Sequence, residues 1–221
     1  MQAGKTAKGE DGLEGKKGLI DTAGKWVDRQ SKGAGVLLED PEDDPPPEQL
    51  DKCSIVRIIS GGQTGADRGG LEAAMYCGVS HGGYCPKDRR AEDGVIPEKY
   101  KLEELAEAEY PVRTEANVVH SDCTVIFGYG ELEGGSLEAA ECARKHHKPL
   151  LHIDLNIFNR KATAIMISKW LNESCHGQCI VNVAGQRESK APGIEQVVKT
   201  RMIDVLSTMN PELRSFHSAG E

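Results

Sequence analysis

The chain has 221 residues, 27 Lys+Arg against 35 Asp+Glu for a formal net charge of −8, 38% hydrophobic residues and 25 Gly. That apolar content suffices for a globular core and fits one domain with an extension. No run approaches the ~20 apolar residues that span a bilayer, and the acidic balance argues against generic nucleic-acid or anionic-membrane binding, both of which depend on clustered positive charge.

The charge is not spread evenly. Residues 1–52 hold 8 Lys+Arg and 12 Asp+Glu, half of the net charge, with the acidic run Glu39-Asp-Pro-Glu-Asp-Asp44 and the triplet Pro45-Pro46-Pro47. Such a segment buries too little apolar surface to offset the entropy of ordering. It is expected to be a disordered acidic tail, with a short helix around Ile20–Val27 as its one local element. Its start lacks the apolar run of a signal peptide, and the expected location is cytoplasmic. A partner-docking role for the tail is the alternative to plain solvation.

From Cys53 onward strand-like and helix-like patterns alternate. Ser54–Ser60 is a short β-branched run ending at Gly61-Gly62, as in a buried parallel strand and its turn. Ala66–Cys77 reads as a helix with Leu71, Ala74 and Met75 on one face and Gly78 as its stop. Gly83–Pro86 is at most a brief strand, and residues 87–100 form a charged loop. Arg113–Ser121 follows as a short helix. Thr124–Gly128 is a second buried strand, and Ser136–His146 a helix with Leu137, Ala140, Cys142 and Ala143 inward. Pro149–Ile153 is a third strand, followed by a helix at Ala162–Leu171 with Ile165, Ile167 and Trp170. Cys179–Val183 is a fourth strand. A helix at Gly193–Leu206 closes the pattern with Ile194, Val197, Val198, Met202 and Val205 at helical spacing. Residues 53–210 therefore read as one α/β domain with a mostly parallel sheet, and 211–221 as a flexible end. In such sheets ligands sit outside the carboxyl ends of the strands, where the chain order reverses.

The unusual chemistry falls at those strand ends. In Ser60-Gly-Gly-Gln-Thr-Gly-Ala-Asp67, Gly61, Gly62 and Gly65 permit close approach of an anion to backbone N–H groups at a helix start. Gln63 can read an amide or a sugar, Thr64 can donate or cap, and Asp67 can bind a ribose hydroxyl. The loop is neither a Walker loop nor the dinucleotide fingerprint. Glu133-Gly134-Gly135-Ser136-Leu-Glu138 repeats the arrangement one strand later, so the two loops can hold a phosphate-bearing group between them. Glu138 is a candidate for a sugar or catalytic contact, as is Asp67. Lys87-Asp-Arg89-Arg90-Ala-Glu-Asp-Gly94 resembles a loop that closes over a ligand, with Arg89 and Arg90 as counter-ions. Arg113 and Asn117, four apart, share a helix face. Asn182-Val-Ala-Gly185-Gln-Arg187-Glu-Ser189 carries one cation and a Ser suited to helix capping.

The seven cysteines are odd in number and follow no secretory signal, which argues against a disulfide framework. Cys77, Cys123 and Cys142 read as small core residues. Cys175 and Cys179 have no second ligand pair at zinc spacing, so no structural metal is expected; they read as flanking a helix-to-strand turn. No Gly-x-Ser-x-Gly or His-Glu-x-x-His pattern is present.

Gly61-Gly-Gln-Thr-Gly-Ala-Asp67, Gly83-Tyr-Cys-Pro-Lys87, Arg89-Arg-Ala-Glu-Asp-Gly94, Arg113-Thr-Glu-Ala-Asn117 and Asn182-Val-Ala-Gly185 together resemble the molybdenum-carrier (molybdenum cofactor carrier) family over roughly residues 54–207. The resemblance implies a Rossmann-like three-layer fold within a wider group of lysine-decarboxylase-like phosphoribohydrolases and DNA-processing proteins. It further implies a homo-oligomer that binds a small phosphate-bearing ligand, the molybdenum cofactor or a nucleotide; the charge balance, with no apolar span, leads to the expectation of no nucleic-acid or membrane partner. The phosphoribohydrolase loop Pro-Gly-Gly-x-Gly-Thr-x-x-Glu is not matched at Glu133–Glu138, which lacks the Pro, the third Gly and the Thr. A binding protein is therefore the first expectation. A nucleoside monophosphate N-glycosidase and a nucleotide-sensing module acting through a partner are the alternatives.

Overall fold

The computed structural model describes residues 52–211 and, earlier in the chain, two short strands. The chain divides into two units, Met1–Glu48 and Gln49–Glu221. In the first, Leu19–Ile20 pairs antiparallel with Trp26–Val27, in the register Leu19↔Val27 and Ile20↔Trp26. This replaces the expected helix over Ile20–Val27. A helix of two turns is too short to repay its nucleation. The other expectations for residues 1–51, and those for 212–221, fall outside the described residues.

The second unit holds a five-stranded sheet: β1 (Ser54–Ile59), β2 (Ser80–Gly82), β3 (Cys123–Gly128), β4 (Leu150–Asp154) and β5 (Gln178–Gly185). The spatial order is 4-3-5-1-2, and every neighbouring pair is parallel. The helices are α1 (Ala66–Tyr76), α2 (Tyr110–Val119), α3 (Gly134–Lys145), α4 (Arg160–Ser174) and α5 (Ile194–Met209). All six residues of β3 are buried. Its alternate side chains serve two cores: Val125 and Phe127 join the cluster built from α1, α4 and α5, while Ile126 packs with Ala139 and Ala140 of α3. A sheet covered on both faces explains why its strands read as unbroken apolar runs rather than alternating ones.

The five long helices and four of the five strands lie where the sequence pattern predicts them, with shifted ends. The edge strand β2 is too short to leave a pattern. Helix α2 begins at Tyr110, three residues early, with a proline in its first turn, where a missing N–H costs nothing. Leu137, expected inward, is exposed, as are Met75 and Ile165, read as part of the apolar patterns of their helices. Each lies one or two positions from a residue that is buried (Ala74, Ala139, Ile167), so the apolar stripe is narrower than the hydrophobic run.

Read from the β2 edge, the order is 2-1-5-3-4. Counting the last strand first turns this into 3-2-1-4-5, the doubly wound order of dinucleotide-binding folds. The central strand is thus the last in sequence, and the connections β1→β2 and β3→β4 run outward on its two sides in opposite directions. Beside it, between β5 and β3, lies the topological switch point.

Candidate functional site

A cavity of about 600 Å³ opens at the carboxyl ends of β1, β3 and β5. Five segments line it: Gly61, Gln63 and Asp67 after β1; Arg113, Thr114 and Asn117 on α2; Glu133–Ser136 with Ala139 at the start of α3; Asn182 and Ala184 on β5; and Gly185–Arg187 with Lys190 beyond it. No cysteine or histidine is among them. Of the residues expected to bind ligand, Gly61, Gln63, Asp67, Arg113, Asn117, Gly134, Gly135, Ser136 and Gly185 meet here.

The floor is an ion pair. Arg113 Nη1 donates to Asp67 Oδ2 at 2.8 Å, with both side chains largely buried. Gly61 makes this pair fit: a Cβ at that position would lie 1.2 Å from Arg113 Nη1. The glycine therefore makes room for a guanidinium rather than for an anion. Beside the pair, Gln63 Oε1 accepts from the amides of Thr64 and Glu92 at 3.0 Å each. Its Nε2 is buried and has no partner. Asn117 is engaged at both ends: its Oδ1 accepts from Tyr84 N and its Nδ2 donates to the carbonyls of Tyr84 and Arg113, all at 2.9 Å. It lines the cavity while holding the Tyr84 backbone in place.

The Gly61–Gly65 loop departs from the expected phosphate cradle. The amide of Gln63 donates to Asp67, that of Thr64 to Gln63 and that of Ala66 to Gln186 O. Gly62, Thr64 and Gly65 lie outside the cavity wall. Gly65, at φ +83, packs against the chain after β5, where a Cβ would lie 2.5 Å from Gln186 O. Gly134 and Gly135 differ: a Cβ on either would meet nothing, so the α3 N-terminus faces open space beside the cavity. Ser136 N and Leu137 N turn back to Glu133 O, as a first helical turn requires.

The charged loop at residues 87–96 is fixed rather than poised to close. Arg89 donates to the carbonyls of Ile96, Leu102, Pro97 and Tyr100 at 3.0–3.2 Å and stays out of the cavity wall. Arg90 donates to Ala108 O and lies over the Tyr110 ring. Asp93 takes Arg68 in a two-bonded pair at 2.6 and 2.8 Å. Glu92 ties three segments together: its carboxylate accepts from the Thr64 hydroxyl and from the Ser189 amide and hydroxyl, while Arg187 stands 3.7 Å away. Partial burial pushes the Glu92 carboxyl up, but the hydrogen bonds from Ser189 and Thr64 outweigh it, and its pKa lies below the usual value. Ser189 is spent on Glu92, so the capping of α5 passes to Glu188, which accepts from the amides of Gly193 and Glu195.

Glu138 is exposed on α3 and absent from the cavity wall; the carboxylates that reach the cavity are Asp67 and Glu133. The cations missed as a group are Arg187 and Lys190. Both line the cavity, and Arg187 stands with Arg90 and Arg113 within 6.0 Å of the Tyr110 ring centre. Their place follows from the sheet order, in which β5 takes the position of the first strand of the doubly wound fold. Gly185–Lys190 is therefore the counterpart of that fold's phosphate-binding loop.

The cysteines also differ from expectation. Cys175 and Cys179 meet Cys123, at the start of β3, with the three Sγ atoms within 4.8 Å of one another, and Cys53, just before β1, lies beside them.

Comparison with known proteins agrees with this topology. The model of the family described as "Circularly permutated YpsA SLOG family" matches residues 58–206. The crystal structure of a "putative molybdenum carrier protein" from Syntrophus aciditrophicus superposes with a TM-score of 0.66 at 40% identity, covering 72% of this chain and 98% of that one. No curated protein matches. The sheet order that becomes doubly wound when its last strand is counted first is what a circular permutation leaves behind. The chain belongs to the circularly permutated YpsA SLOG family.

Proposed function

We propose that this chain binds a small phosphate-bearing, nucleotide-like molecule in the cavity beside β5, and that its role is that of a carrier. The observation that carries the reading is the buried, unpartnered Nε2 of Gln63 in the wall of that cavity. A buried amide donor without a partner costs about 1–3 kcal/mol, and a ligand acceptor would recover it. The phosphate sits at the N-terminus of α3, over Gly134 and Gly135, where unsatisfied N–H groups and the helix dipole favour an anion. Arg187 and Lys190 supply counter-charge, and Asp67 accepts from a sugar or ring donor while Arg113 holds it in place.

The solved relative is named a molybdenum carrier, and the molybdenum cofactor, a pterin bearing a phosphate, belongs to the class of ligand proposed here. The cavity residues fit its phosphate and its heterocycle. None of them is a soft metal ligand, so the metal would be held by the cofactor itself and not by this wall. The N-glycosidase alternative would have to rest on Asp67 and Glu133 rather than Glu138.

A thermal-shift series with inorganic phosphate, AMP, ADP-ribose and adenosine tests the proposal. The phosphate-bearing probes should raise the melting temperature in a concentration-dependent way, and Gln63→Leu and an Arg187→Ala/Lys190→Ala pair should weaken that response at least tenfold. No response from any phosphate-bearing probe, or an unchanged one in those variants, would refute it. Release of free base from AMP would move the reading from carrier to hydrolase.

A further inference from the structure

At the opposite end of the sheet four cysteines converge. The Sγ atoms of Cys123, Cys175 and Cys179 all lie within 4.8 Å of one another, and all three residues are buried. Cys123 Sγ and Cys179 Sγ are 3.9 Å apart. Cys53, buried as well, lies beside Cys175 and Cys179, although its Sγ is not one of the three within 4.8 Å. The four arrive on separate elements: Cys53 before β1, Cys123 at the start of β3, Cys175 at the C-terminal cap of α4 and Cys179 in β5.

We propose that Cys53, Cys123, Cys175 and Cys179 form a tetrahedral four-thiolate site for a structural divalent metal ion of the zinc class. A Zn–S bond of ~2.3 Å places the sulfurs of a tetrahedral site ~3.8 Å apart. The Cys123–Cys179 separation already matches that spacing. An iron–sulfur cluster holds its thiolates further apart, and molybdate is a hard oxyanion that four thiolates do not suit. The backbone is shaped for convergence. The register of β5 against β1 slips between Cys179 and Ile180, and such irregularities re-aim side chains. Gly177, at φ +65, turns the chain between Cys175 and Cys179, and its carbonyl accepts from Ser54 N beside Cys53. Asn172 Oδ1 holds the Cys53 amide at 3.1 Å. Packing alone would be served by any small apolar residue at these positions. On binding, the four thiols release four protons, and the metal ion with four thiolates carries a net charge of −2; no electron is exchanged. The site joins the starts of three parallel strands to α4 and leaves no open coordination position, which marks it as structural rather than catalytic.

The test is elemental analysis of the full chain, purified under reducing conditions without a metal-affinity tag, followed by cobalt substitution. The expected result is one zinc per chain. Removing it should leave a protein that takes up cobalt with the intense visible bands of a tetrahedral thiolate site. Cys123→Ser and Cys175→Ser should lower the zinc content at least tenfold, while Cys142→Ser, outside the cluster, should retain it. Cobalt uptake is read on the native sequence, so a serine variant that fails to fold leaves the test intact. A metal-free native chain that binds neither zinc nor cobalt and melts at the same temperature with and without them would overturn the proposal. So would molybdenum in place of zinc, or a Cys123–Cys179 disulfide in the reduced preparation.

Discussion

At the residue scale, side chains in this protein repeatedly do the work of backbone. Asn117 pairs with Tyr84, Gln186 with Tyr129 and Asn210 with Ile55, each offering its amide carbonyl and NH2 to the two polar groups of one residue. This is why polar residues at strand ends were legible as special but not in their roles. Asn117 and Arg89 have the composition of ligand contacts, yet backbone groups consume their hydrogen-bonding capacity. No one-dimensional pattern reveals which carbonyls lie within reach. Arg89→Ala should therefore lower stability by about 2 kcal/mol, as expected for loss of charge-assisted hydrogen bonds, and leave AMP affinity unchanged. Arg187→Ala should do the reverse, because its side chain is 40% exposed and reaches the cavity. Urea unfolding and calorimetry on the same two variants separate the effects. The glycines divide in the same manner. Gly65→Ala meets backbone atoms at φ +83 and should cost several kcal/mol, whereas Gly134→Ala meets open space at φ +50 and should cost about 1 kcal/mol.

At the element scale, α1 and α5 are joined over the sheet by Glu72, which accepts from Lys99 at 2.6 Å, Tyr100 at 2.8 Å and Lys199 at 3.4 Å. Burial raises its pKa, but these donors outweigh it and bring the value down from 4.5 to about 2. A carboxylate whose pKa is lower in the folded state stabilises the fold above its unfolded pKa and loses that contribution as protons return. The stabilisation from Glu72 is thus complete above about pH 5 and disappears as the pH falls from 4.5 toward 2. It amounts to about 3 kcal/mol. Glu72→Gln should flatten the acid limb of the stability–pH curve measured by urea midpoints between pH 7 and pH 3; an unchanged acid limb would remove Glu72 from the account. The elements themselves were legible where apolar runs were long, as in β3 and α5. Strand β2 and the two-residue strands Arg90–Ala91, Gly94–Val95 and Glu103–Glu104 were not, because two or three residues carry no period.

At the scale of the whole molecule, the parallel sheet separates two chemistries. Its carboxyl ends carry the cavity, lined by Arg187, Lys190 and the α3 N-terminus. Its amino ends carry the four thiols. Stripping metal from the thiol end should lower the melting temperature by several degrees and weaken AMP binding less than threefold once the protein is kept folded by low temperature. A joint loss of both at all temperatures would mean that the two ends are not independent. The cysteine cluster was beyond reach of sequence spacing, because its members are spread from residue 53 to residue 179 and meet only when three strands align. The order of the strands was equally invisible, and with it the importance of the loop after β5.

Titration calorimetry of AMP against adenosine on the full chain shows most directly whether the cavity recognises a phosphate on a nucleotide-like molecule. AMP should bind at least tenfold more tightly than adenosine, a difference of about 1.4 kcal/mol or more, and the Arg187→Ala/Lys190→Ala pair should erase that preference. Equal affinity for the two, or a phosphate preference that survives in the double variant, would contradict the claim.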